Sequence, residues 1–163
     1  MAQQSSPRSS TNPLDEVFGP IMSLFGQKRP TMAEYSTSPP GGPAIEYWKE
    51  PERAGWLMKQ GEHIKTWRRR WFVLKGGKIF WFKDQHVSAQ SVPRGVIEVK
   101  QCLSVKGAED ALNKPCAFEI STHVDLMYFI ADSDKEKEDW INAIGRAIVH
   151  HSASMCEEYA QDA

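Results

Sequence analysis

The sequence predicts a mainly β domain, seven short strands forming a barrel or sandwich closed by one C-terminal helix. Three observations carry this prediction. Between Gly55 and Ile130, aromatic and β-branched residues gather in short apolar runs separated by turn-forming segments. A glycine pair, Gly76-Gly77, separates two of the runs. After Ser133 the apolar spacing changes from strand-like to helix-like.

Taken in order, the predicted strands are residues 55–59 (GWLMK), 70–74 (RWFVL), 78–82 (KIFWF), 95–99 (GVIEV), 102–105 (CLSV), 117–121 (AFEIS) and 126–130 (LMYFI). The glycine pair suits a tight reversal between the second and third. The helix opens with a capping box: the Ser133 hydroxyl can accept the Glu136 N–H, and the Glu136 carboxylate can return a bond. Trp140, Ile144, Ala147 and Ile148 then form one apolar stripe. Asp134, Glu136, Glu138 and Asp139 crowd the first turns, and Arg146, His150 and His151 lie late, as the helix dipole favours. A helix of about 16 residues, its Trp140 stripe laid over an open end of the β structure, is expected.

The flanks read differently. Residues 1–44 are rich in Ser, Pro, Gln, Gly and Thr, cannot bury enough apolar surface to offset their ordering entropy, and are expected to be disordered. Inside them Phe18, Ile21, Met22 and Phe25 fall at helical spacing, interrupted by Gly19-Pro20. That island either folds loosely on the domain or docks a protein partner or membrane surface. Residues 45–151 are assigned to the folded domain and 152–163 to a short, frayed acidic tail.

Composition narrows the function. With 40% hydrophobic and 25% charged residues, the chain has the make-up of a globular protein. It has no apolar run near the roughly 18 residues that cross a bilayer, and no secretory leader is read at its start. Cys102, Cys116 and Cys156 fit neither a disulfide framework nor a zinc spacing, which favours a reducing cytosol, with Cys102 and Cys116 as small core residues. The net charge is −1, yet residues 49–83 hold ten basic against three acidic side chains, a local +7 that leaves −8 for the rest. A chain polarised in this way attracts anions at one end.

The cations have a pattern. Lys59 ends the first strand, and Arg68 and Arg70 begin the second, on one face because side chains alternate; Arg69 takes the other. In a hairpin Lys59 faces the Arg68/Arg70 pair, and Lys65 reaches in from the loop. Guanidinium groups grip phosphate oxygens bidentately and lysine adds a mobile charge, so the cup suits a phosphorylated headgroup. The competing reading is a basic strand edge that only discourages aggregation. His63 beside the cations would tighten phosphate binding when protonated, unless it is a plain surface histidine. Ile64 either dips into the headgroup layer or packs on Trp67.

These residues carry a resemblance. GWLMK at 55–59, eight further residues, then RRRWFVL at 68–74 resembles the opening of a pleckstrin homology (PH) domain, whose lipid-binding signature is a Lys, a variable loop, then Lys/Arg-x-Arg. Lys59, Arg68 and Arg70 fill its three positions. The loop at 61–67 is similar to that of the protein kinase B PH domain, and Trp140 matches the family's terminal-helix tryptophan. The likeness spans about residues 53–149, and the layout resembles small plant proteins with a single PH domain.

The resemblance implies a seven-stranded bent barrel capped by the C-terminal helix, with inositol phosphates bound at the open end. It makes Lys59, Arg68 and Arg70 phosphate contacts, with Arg70 central, and lines the loop with His63, Ile64 and Lys65. Two departures stand out. Where kinase relatives use an asparagine and an arginine, this chain has Gly95 and Met127, with Arg94 nearby as partial compensation. Fewer contacts point to a less crowded headgroup such as phosphatidylinositol 3-phosphate.

The expected function is therefore a non-catalytic phosphoinositide-binding module, monomeric and cytoplasmic, peripheral to endosomal or plasma membranes, without cofactor, metal or nucleic acid. No catalytic motif is present: no Gly-rich phosphate loop, no nucleophile–histidine set, and His150-His151 lack the i, i+4 spacing of a zinc pair. The alternative is a protein-interaction adaptor on the same fold, with the N-terminal segment offering a partner contact. A third class, single-stranded nucleic-acid binding, uses the aromatics as stacking platforms; barrel packing accounts for them better.

Overall fold

The computed structural model describes residues 44–161 apart from Glu62, with side chains through Cys156. The expectations for residues 1–43, including the island at 17–25, lie outside the described residues. The strands are β1 (Arg53–Gln60), β2 (Trp67–Lys75), β3 (Lys78–Phe82), β4 (Gly95–Glu98), β5 (Cys102–Gly107), β6 (Ala117–Thr122) and β7 (Leu126–Ile130). They form one antiparallel sheet in the order β4-β3-β2-β1-β7-β6-β5. Every predicted strand is present. β2 starts three residues early, at Trp67, which puts Arg68, Arg69 and Arg70 all on strand.

Gly76 and Gly77, with φ of 56° and 71°, make the two-residue turn between β2 and β3. A side chain is strained in that left-handed region, so glycine is what the reversal requires. The inner face of the sheet supplies the core: Phe72 meets Phe129 and Trp140 edge-on, and Phe129 stacks on Phe118. A second apolar layer lies on the outer face, where buried Tyr47 covers Phe80 and Phe82 at ring separations of 5.0 and 5.4 Å.

A short helix α1 (Glu109–Leu112), absent from the sequence reading, precedes β6 and ends at Asn113 in left-handed conformation. Helix α2 (Asp134–Gln161) packs Trp140, Ala143 and Ile144 against the core, beside β5 and the 3-10 turn Val99–Gln101. It has 28 residues where about 16 are expected, and runs ten residues past the expected domain end at 151. Residues 152–161 contain neither Gly nor Pro, and the Ser152 and Ser154 hydroxyls donate to the carbonyls of Ile148 and His150. The expected tail is thus helical through Gln161.

The capping box forms by half. Ser133 Oγ accepts the Glu136 N–H at 3.2 Å, but the Glu136 carboxylate turns to Arg53 at 2.5 Å instead of returning the bond. A guanidinium offers a charged partner where the cap offers one neutral N–H. Lys137 pairs with Glu109, tying α2 to α1, and this carboxylate pushes its ammonium up to about 12. Cys102 is a core residue whose thiol burial raises to about 11. Cys116 reaches only the margin of the core, its Sγ donating to Asp134 at 3.5 Å.

Candidate functional site

The β1–β2 register decides which cations meet. Lys59 stands opposite Arg68 and Leu57 opposite Arg70, so these share a face of the hairpin. Arg69 stands opposite Met58 on the other face. There its guanidinium makes two 2.7 Å bonds to the Asp132 carboxylate and lies 5.2 Å from the Trp56 ring. Arg69 is neutralised, as the alternation places it away from the cup.

Arg70 lies on the opposite face, with Arg68 and Lys59. The Arg70 guanidinium is held below its ordinary pKa first by burial, then by the charges of Arg94 and Arg68. Its Nη1 donates to the Arg69 carbonyl at 2.8 Å. Among the described residues, no carboxylate pairs with Lys65, Arg68, Arg70 or Arg94. Like charges gathered this way raise the local potential and favour an anion between them.

Lys59 is the floor of the site. It is 8% exposed, with Nζ 5.3 Å from the Trp81 ring centroid and 3.4 Å from the Gln60 carbonyl. Toward β7 it shares a cleft of about 60 Å³ with Lys65, lined also by Asp125, Met127 and Tyr128. The 61–66 loop is closed by backbone bonds from Gly61 to Thr66 and from Thr66 to Ile64. At its tip His63 is exposed, and Ile64 is 69% exposed, so it points into solvent instead of packing on Trp67.

Sequence reasoning missed Trp81. It pairs with Gly95 across β3 and β4, and a Cβ on Gly95 would lie 2.0 Å from its ring. The indole therefore occupies the space that a side chain at position 95 would need. Strand alternation was the available signal, since Trp81 shares its face with Ile79. Arg94 enters from the 83–94 loop, its N–H bonded to the Trp81 carbonyl at 2.7 Å.

Residues 51–149 match the PH domain family. The chain belongs to that family. It is 62% identical over 120 residues to pleckstrin homology domain-containing protein 1 of Arabidopsis thaliana, covering 72% of this chain and 83% of the relative. A PH domain-containing protein of Dictyostelium discoideum is 40% identical over 96 residues, 58% of this chain and 20% of its own length. The carboxyl-terminal PH domain of pleckstrin superposes with a TM-score of 0.50 and 28% identity, over 59% of this chain and 95% of that one. The same pleckstrin domain, in complex with D-myo-Ins(1,2,3,5,6)P5, gives 0.50 and 29% over 59% and 93%. PH domains are in general lipid- or protein-binding, non-catalytic modules. Among the described residues no helix is long and apolar enough to cross a membrane, and no cluster of metal-ligating side chains occurs.

Proposed function

We propose that this PH domain binds phosphoinositide headgroups, preferring 3-phosphorylated inositides such as phosphatidylinositol 3-phosphate, and so recruits the chain to endosomal or plasma membranes. The observation that carries the reading is the like-charged set Arg68, Arg70 and Arg94, unpaired with carboxylate among the described residues, with Lys59 opposite Arg68 across the hairpin. Burial and then the charges of Arg94 and Arg68 hold the Arg70 pKa down, and a phosphate between the guanidiniums relieves the second of these. The inositol pentakisphosphate complex of the pleckstrin domain supports the same class of ligand. The absence of polar side chains at Gly95 and Met127 favours a headgroup with few phosphates.

The test compares wild type, Arg70→Ala and Arg69→Ala on phosphatidylcholine vesicles with and without phosphatidylinositol 3-phosphate. Arg70→Ala is expected to lose roughly 10- to 100-fold in affinity, the worth of a charge-assisted bidentate contact. Arg69→Ala, its neighbour on the other face, stays within about 2-fold. Folded Arg70→Ala protein that binds like wild type would return the chain to the protein-adaptor reading.

A further inference from the structure

Arg94 poses a mechanical question. It sits at the end of a twelve-residue connection, 83–94, and its charge acts on Arg70 against repulsion. A long loop free to move would swing such a residue away from two other guanidiniums. The structure holds it at two points. One is the Arg94 N–H bond to the Trp81 carbonyl. The other comes from outside the matched family segment: Tyr47, four residues before it begins, donates its hydroxyl to the Ser91 carbonyl at 2.6 Å.

The clamp is rigid on both sides. The Tyr47 ring is buried against Phe80 and Phe82, so its hydroxyl has a fixed origin. Ser91 is folded into a turn, with its N–H on the Ser88 carbonyl at 3.0 Å and its hydroxyl accepting the Ser88 N–H at 2.9 Å. Val92 and Pro93, the latter buried and fixed in φ, are the two residues between the clamped carbonyl and Arg94. We propose that Tyr47 is a positioning residue, which fixes the 83–94 loop through Ser91 and so holds Arg94 inside the cation cluster. This rests on the phosphoinositide reading above and extends the binding unit to residues before 51.

Tyr47→Phe tests it, since the ring and its packing on Phe80 and Phe82 stay and the hydroxyl that reaches the Ser91 carbonyl is removed. On vesicles carrying phosphatidylinositol 3-phosphate, Tyr47→Phe is expected to weaken binding about 3- to 10-fold, the range of one buried hydrogen bond. In an Arg94→Ala background the same change is expected to cost less than about 2-fold, because the group being positioned is gone. Equal losses in both backgrounds would mean general loosening and overturn the proposal, as would wild-type affinity in Tyr47→Phe. Wild-type protein that does not distinguish these vesicles from plain phosphatidylcholine would overturn the lipid reading, and this proposal with it.

Discussion

Arg69 and Arg70 are adjacent in sequence and opposite in circumstance. One is held by a carboxylate and an indole, the other is crowded by two more arginines. Strand alternation alone separates them, which is why this part of the site was legible in the sequence. Gly95 was legible only as a departure from the family pattern; its reason, the Trp81 ring, needed the β3–β4 register. Restoring an asparagine there is therefore expected to fail. Gly95→Asn drives a side chain into the indole, costing roughly 1–3 kcal/mol in a urea titration. It also weakens vesicle binding, because Lys59 rests over that ring. Stability and binding equal to wild type in Gly95→Asn would show that Trp81 yields freely.

Elements are joined by contacts that no local pattern announces. Arg69 of β2 reaches Asp132, which lies between β7 and α2, while Arg53 of β1 grips Glu136 and Asp139 on α2. The strands were readable because apolar alternation and a glycine turn are local signals. The Glu136 half of the cap and the last ten residues of α2 escape local reading, the first because a long-range partner takes the carboxylate, the second because no Gly or Pro stops the helix. The Arg69 pairing carries a pH signature. Hydrogen bonding to Arg69, with its charge, holds the Asp132 carboxyl below the usual range despite partial burial. Its contribution is thus present above the unfolded value near 4 and lost as pH falls through the depressed one. In urea titrations, wild type is expected to exceed Arg69→Ala by no more than about 1 kcal/mol at neutral pH, the gap closing in acid. A gap that persists unchanged below about pH 3 would assign the difference to Arg69 packing on Trp56 instead.

Across the molecule the charge is uneven, with +7 between residues 49 and 83 set against −8 elsewhere. Two attractions to a membrane follow, and salt separates them. Vesicles containing phosphatidylserine alone are expected to lose the protein by more than about 10-fold when salt rises from about 0.05 to 0.5 M, since diffuse attraction is screened. Binding to phosphatidylinositol 3-phosphate should fall less, because coordinated phosphate in a partly buried cup is screened less. Parallel losses would reduce the whole interaction to net charge. The two-residue turn at Gly76-Gly77 carries a consequence for how such a chain can change length. One residue inserted there would exchange the faces of β3, sending Trp81 outward and Phe80 inward. Insertions and deletions are thus barred from the shortest reversal of the sheet, while the 83–94 connection can lengthen between its strand end and the Ser88–Ser91 turn.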